Sequence, residues 1–149
     1  MKLAQISASV LFVASIFTSP VTITSAIASD LTTPSPKGAL AYIVSPKNGE
    51  TVDGTFTVIF GLAGMGIAPA GVEQENTGHH HLLVDQESLP AEGVPMGSPP
   101  IHFGKGQTEA EVTLEPGTHT LQLIMGNHFH VPHNPPVVSE KITITVADT

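Results

Sequence analysis

Histidine is the residue type whose number and spacing in this sequence could do chemistry. The 149-residue chain contains eight histidines and no cysteine. Seven of them lie in two tracts and one intervening segment: His79-His80-His81, His102, and His128-Phe129-His130 followed by His133. Imidazole suits Zn(II), Cu(II) and Ni(II), and three or four nitrogens at about 2.0 to 2.1 Å complete a coordination shell. The histidine pattern therefore predicts a site for a divalent transition metal.

The spacing within each tract indicates which histidines share a face. Two residues that are two positions apart on a β-strand project from the same side, so a His-x-His pair supplies two ligands without backbone distortion. On this basis we predict that Cu(II) or Zn(II) is bound by six candidate ligands: His79, His81, His102, His128, His130 and His133. His102 qualifies only if its strand lies beside the strand that carries the first tract.

The other two histidines receive structural interpretations. His80 should point inward and be satisfied by a buried acceptor, and His119 should make a hydrogen bond that pins the turn before it. Met65 and Met125 would favour copper if their thioethers approach the site. Three acidic residues are candidate acceptors for the second ring nitrogen of a ligand: Glu73, Glu75 and Asp85.

Short strands are the elements that must position these side chains. Apolar residues alternate with polar ones, as in Phe56, Val58, Phe60 and Leu62, and no segment keeps a helical period. Fourteen Gly and thirteen Pro also favour many turns. We predict an all-β, immunoglobulin-like antiparallel β-sandwich of about seven strands. The predicted strands are 40–44, 55–62, 80–85, 101–103, 109–114, 119–126 and 137–146.

This topology brings the two histidine tracts together. In an immunoglobulin-like sandwich the third and sixth strands are antiparallel neighbours, so the start of 80–85 lies beside the end of 119–126. Leu82 and Val84 should face the core, which leaves His79 and His81 on the outer face. His128 and His130 should face outward too, unless an extra residue at Gly126-Asn127 reverses their parity.

The N-terminal region predicts export. A positive start at Met1-Lys2, an apolar run over 10–17 and the small residues Ala26-Ile27-Ala28 are typical of a cleaved signal peptide. We therefore divide the chain into a signal peptide at 1–28, a flexible leader at 29–38 and the sandwich domain at 39–149. The expected location is periplasmic or secreted, with no membrane anchor after signal cleavage.

Four blocks of the sequence resemble a known family. The blocks are 78–85, which begins Gly78-His79-His80-His81, then 102–109, 116–123 and 128–136. They are similar to domain-of-unknown-function family 4399, a group of small exported bacterial proteins, and the resemblance covers roughly Val52 to Val146. It implies an exported domain and supplies no established activity and no assigned ligands. A looser similarity is to periplasmic copper-carrier sandwiches with a Pro-Gly turn before a late strand.

Charge and motifs exclude several function classes. Five Lys, no Arg and thirteen acidic residues give a formal net charge of -8, which is unsuited to a nucleic-acid partner. No Gly-x-Ser-x-Gly motif occurs, and we expect binding rather than enzymatic turnover. The expected function is periplasmic metal carriage, buffering or sensing, and the candidate partners are the metal ion and another envelope protein. The alternative is a non-catalytic structural or protein-interaction module of the cell envelope with a hydrogen-bonded histidine rim.

Overall fold

The computed structural model describes residues 31–148, and the predicted signal peptide lies outside this range. Strands account for all the regular structure of the described residues, and none of those residues forms a helix that could span a membrane. The strands are β1 (Leu40–Ser45), β2 (Thr51–Val52), β3 (Thr55–Ala63), β4 (Gly66–Ile67), β5 (Thr77–Val84), β6 (Ile101–His102), β7 (Glu109–Thr113), β8 (Gly117–Gly126) and β9 (Ile142–Val146).

Two sheets pack as a β-sandwich, which confirms the predicted fold class. The smaller sheet has the order β1-β3-β7, and the larger has the order β2-β9-β8-β5-β4, with β6 also paired to β5. Two-residue strands β2 and β4 were not predicted, and each runs parallel to its neighbour, whereas the longer strands pair antiparallel.

The core lies between the two sheets and follows the period of two. From the smaller sheet it receives Ala41, Val58 and Phe60, and from the larger sheet it receives residues such as Leu82 and Leu123. All of these side chains are at least nine-tenths buried. Because alternate residues of each strand fill this layer, the intervening residues of β5 must point away from it.

The pairing of β5 with β8 places the histidine tract as the sequence predicts. The two strands are antiparallel, and His79 lies opposite Gly126 while Leu82 lies opposite Leu123. β5 begins at Thr77, three residues earlier than predicted, so the whole tract lies inside the strand. The face of β5 that lies away from the core is also covered, because Leu83 is only 3% exposed.

The last predicted strand, 137–146, is interrupted. β9 begins at Ile142, and residues 137–139 pair separately with the end of β8. Val137 accepts a hydrogen bond from the Met125 N–H at 2.9 Å. The Ser139 N–H donates to the Leu123 carbonyl, and the Ser139 hydroxyl accepts from the Leu123 N–H. This side-chain bond replaces the regular ladder at the point where the strand breaks.

Candidate metal centre

His79 and His81 form the buried floor of a histidine cluster. Both project from the same side of β5, away from the core, and both are at most 1% exposed. Their ring centroids are 4.8 Å apart. His80, between them, points into the core, where its ring packs against Phe60 at 5.1 Å and its Nδ1 lies 3.4 Å from the Gln107 carbonyl. This inward position agrees with its predicted role.

His102 enters the cluster from the neighbouring strand. β6 pairs antiparallel with β5, and His102 is the direct cross-strand partner of His81. The His102 ring centroid lies 5.0 Å from those of both His79 and His81. His102 was expected to qualify only if its strand lies beside the strand that carries the first tract, and β6 does lie beside β5. The ring packs closely against Gly104, where a Cβ would collide with it.

His130 reaches the cluster from a tight turn after β8. The buried Asn127 side chain organises this turn, because its Oδ1 accepts hydrogen bonds from the N–H groups of Phe129 and Val131 at 2.9 and 3.1 Å. His130 has a φ of 64°, in the left-handed region, and its N–H donates to the Asn127 carbonyl at 2.8 Å. The turn carries the His130 ring to within 4.6 Å of the His102 centroid and 5.0 Å of the His79 centroid.

These four imidazoles together could hold a metal ion. One ring nitrogen from each of them lies within 4.8 Å of all the others: His79, His81, His102 and His130. Two of the rings are in direct contact through their nitrogens: His79 Nε2 and His130 Nδ1 are 3.2 Å apart. Two nitrogens bound tetrahedrally to zinc lie about 3.3 Å apart, given Zn–N bonds of about 2.0 to 2.1 Å. This pair is already spaced for a shared ion, and the widest pair must close by about 1.5 Å to match it.

Comparison with known proteins places the chain in a family. The profile of the domain of unknown function DUF4399 matches residues 58–147, which include all four clustered histidines. The chain belongs to the DUF4399 family. No curated protein matches it. Among solved structures it is similar to the X-ray structure of the endo-beta-1,4-mannanase from Thermotoga petrophila, with a TM-score of 0.43 and 16% identity over 74% of this chain and 20% of that chain.

Burial keeps the two floor histidines of the DUF4399 cluster, His79 and His81, uncharged at neutral pH. Burial, followed by repulsion from the neighbouring imidazoles, lowers the pKa of His79 to about 4 and that of His81 to about 3. Partial burial, and then His130, also lowers the pKa of His102. A metal ligand must be a neutral imidazole with a free lone pair. His79 and His81 are therefore in the form that a metal ligand requires at pH 7.

The ring nitrogens of the floor have few partners within the protein. Among the described residues, neither ring nitrogen of His81 makes a hydrogen bond, and His79 Nδ1 also lacks one. A buried polar atom without a hydrogen bond costs roughly 1 to 3 kcal/mol. Three such atoms in one small cluster are an unusually large cost in folding free energy for a domain of this size. A bound cation would satisfy at least one nitrogen on each ring.

Two predicted ligands of this DUF4399 domain lie outside the cluster. β8 ends at Gly126, so the period of two does not extend to His128, whose ring instead contacts Phe129 at a centroid distance of 4.0 Å. The His133 ring faces the first residues of the described chain, where its Nδ1 bonds to the Thr33 hydroxyl at 2.8 Å. The expectation that all six histidines converge is corrected to four.

The expected acidic partners are also placed elsewhere. Asp85 lies at the opposite end of β5, where its carboxylate bonds to His119 Nδ1 at 2.7 Å and accepts from the Thr120 N–H at 2.8 Å. His119 Nε2 also donates to the Glu115 carbonyl at 2.9 Å, which is the predicted corner hydrogen bond. Glu73 and Glu75 line a cavity of about 280 Å³ together with the two outlying histidines.

The two methionines proposed from sequence belong to the core. Met125 is fully buried among the core residues, on the face of the larger sheet opposite His79 and His81. Met65 is half-buried and packs against the same core. A third methionine, Met96, lies at the cluster instead. It sits in a loop rich in Pro and Gly, where no periodicity could reveal its position.

A close backbone approach at Gly126 shapes the cluster and can be tested. A Cβ on Gly126 would lie 2.7 Å from Cε1 of His81 and 2.8 Å from Cε of Met96. We expect Gly126→Ala to displace the buried His81 ring, to destabilise the fold by about 1 to 3 kcal/mol and to weaken metal binding. Urea unfolding and metal titration measure the two effects.

Gly97→Ala is the matched control, because a Cβ at Gly97 has open space around it. It should change neither the free energy of unfolding nor the metal affinity. Equal behaviour of the two variants would contradict the packing of His81 against Gly126.

Proposed function

We propose that this domain binds one divalent transition metal ion, Cu(II) or Zn(II), through His79, His81, His102 and His130. Its role is carriage, buffering or sensing of that ion in the periplasm or outside the cell. The observation that carries the proposal is the convergence of four imidazole nitrogens within 4.8 Å of one another. Among the described residues the ligand group contains histidine alone, with no cysteine or carboxylate, and such a group selects ions that prefer imidazole.

The number of ligands favours binding over catalysis. Zinc sites with four protein ligands are closed, whereas catalytic zinc sites have three protein ligands and keep a position open for water or substrate. Four histidines fill a tetrahedral shell by themselves. We therefore propose a binding protein rather than an enzyme.

The exposure of the cluster suits an ion that enters and leaves. His79 and His81 are buried, His130 is intermediate and His102 is exposed. An ion can therefore meet the outer two rings first and settle on the inner two. The formal net charge of -8 also favours the approach of cations. Export, and thus the periplasmic setting, rests on the signal peptide that the sequence predicts.

The competing idea of a hydrogen-bonded histidine rim receives less support. Within the cluster one contact, between His79 and His130, has hydrogen-bonding distance. A structural rim would be expected to pair its buried rings, but His81, which is 1% exposed, makes no such bond within the described part of the chain. Unpaired nitrogens are better explained by a ligand than by a network.

Stoichiometric metal uptake tests the proposal. We expect tag-free protein, stripped with a chelator and dialysed at pH 7.5 against Zn(II) or Cu(II), to retain one equivalent of metal. Elemental analysis after dialysis gives the ratio, and far-UV circular dichroism verifies that the stripped protein is folded. A folded protein that retains no metal would contradict the proposed function and would favour the interaction module.

A further inference from the structure

Met96 is tied to the histidine cluster by its backbone. It lies in the loop between β5 and β6, and its N–H donates a hydrogen bond to the His130 carbonyl at 2.8 Å. This bond connects two loops that are far apart in sequence. Any movement of the His130 turn therefore moves Met96 with it.

The side chain of Met96 extends over the floor of the cluster. Its terminal methyl carbon and Cε1 of His81 both border the space in front of Gly126, at 2.8 and 2.7 Å from the position of a Cβ there. His81 Nδ1 is 3.2 Å from the same position. The methyl end of the Met96 thioether thus lies against the same side of Gly126 as the buried His81 ring, whose two nitrogens have no hydrogen bond within the described residues.

A thioether adds a preference that imidazole alone does not supply. Sulfur ligands are soft and select Cu(I), whereas Zn(II) sites are built from imidazole, thiolate and carboxylate. The chain contains no thiolate that could compete for copper. Among the described residues, the other methionines are directed into the core and cannot take this role.

We propose that Met96 is a thioether ligand of this centre and that the cargo ion is copper, held in its Cu(I) state with the help of Met96. The inference rests on the proposed function, since it assumes that the histidine cluster binds metal. It goes further by naming the ion and by assigning a sulfur donor that the histidine pattern does not contain, which takes one of the four positions around Cu(I) in place of one imidazole. The ion is taken up and released as Cu(I), so the proposal contains no redox step, and in the test below ascorbate keeps the copper reduced.

Paired affinity measurements test the role of the sulfur. Met96→Leu keeps an apolar side chain of similar volume and removes the thioether. We expect Cu(I) affinity, measured without oxygen in ascorbate by competition with a chromophoric Cu(I) chelator, to fall about tenfold or more. Zn(II) affinity of the same variant should remain at the wild-type value. Met65→Leu is the matched control and should change neither affinity.

X-ray absorption at the copper edge gives a second readout that does not depend on affinity. Cu(I)-loaded wild-type protein should show a sulfur scatterer in the first shell, and the Met96→Leu protein should show nitrogen alone. An unchanged Cu(I) affinity, an equal loss for both ions or a wild-type spectrum without sulfur would overturn the assignment of Met96.

The outcomes also separate this inference from the proposed function. If wild-type protein binds Zn(II) but not Cu(I), the metal centre stands and the copper assignment falls. If it binds none of Zn(II), Cu(II) and Cu(I), both proposals fall together.

Discussion

His81→Ala is expected to lower the affinity for Cu(II) or Zn(II) by more than about 100-fold, while His128→Ala leaves it unchanged. Loss of an outer partner that merely orients a metal ligand already costs about 10- to 100-fold, so loss of a ligand itself should cost more. His81 is one of the two buried rings of the cluster, and His128 belongs to the same sequence pattern but lies outside the cluster. Competition titration with a chromophoric chelator measures both affinities.

This comparison distinguishes binding at a defined site from binding that reflects only the high histidine content of the sequence. If the histidine-rich tracts bound metal without a defined site, the two variants would lose affinity equally. His102→Ala gives a further check, since His102 is exposed and its removal leaves the core intact. A loss with His128→Ala and none with His81→Ala or His102→Ala would refute the four-histidine site.

Shared coordination of one ion also predicts coupling between ligands from different loops. His79→Ala and His130→Ala should each cause most of the loss by itself, so the double variant should be little worse than either. Their nitrogens are 3.2 Å apart, although 51 residues separate them in the chain. Additive losses would indicate that the two rings bind separate ions.

The convergence of the tracts was predictable because it depends on sheet topology. Antiparallel pairing of β5 with β8 places the first tract beside the residues that precede the second. The parity of His79, His80 and His81 was also predictable, because a regular strand separates alternate residues onto opposite faces.

The second tract was less predictable because it leaves the strand. After Gly126 the Asn127 side chain caps a turn, and the N–H groups that a continued strand would have paired bond to its Oδ1 instead. An Asn after a Gly signals such a turn, but the sequence does not state which of the following side chains will face the sheet. The turn selects His130 and excludes His128.

The partners of the remaining residues depend on contacts over long separations. His133 bonds to Thr33, 100 residues away, and Asn127 donates through Nδ2 to the Leu31 carbonyl at 2.8 Å. These contacts place residues from the predicted leader against the turn that carries His130. No local pattern in either segment encodes the other.

Acid is expected to destabilise the metal-free protein steeply between pH 6.5 and about 4. Above pH 6.5 His79 and His81 are neutral in both the folded and the unfolded chain, so they make no difference to stability. Below pH 6.5 the unfolded chain takes up protons first, because burial lowers the pKa of His79 to about 4 and that of His81 to about 3 in the fold. Each ring then removes about 3 kcal/mol by pH 4.5.

Two such losses are comparable with the total stability of a small domain, which is about 5 to 15 kcal/mol. Urea unfolding in the presence of a chelator, at pH 7 and at pH 4.5, measures the difference. His81→Gln removes one titrating ring and should reduce the acid-induced loss by about 3 kcal/mol. If His81→Gln lost as much stability in acid as the wild type, the assignment of part of the acid sensitivity to His81 would be contradicted.

His119 provides a control, because its effect on the pH dependence of stability has the opposite sign. Its bond to Asp85, followed by its bond to the Glu115 carbonyl, raises the pKa of His119 above the ordinary value. The stabilisation from His119 is therefore fully present below pH 6.5 and is lost as the pH rises through its folded pKa. His119→Gln should make the protein less stable in acid and so steepen the loss between pH 7 and pH 4.5, whereas His81→Gln flattens it. The opposite responses of the two variants would show that acid sensitivity comes from buried histidines such as His81, and not from histidine protonation in general.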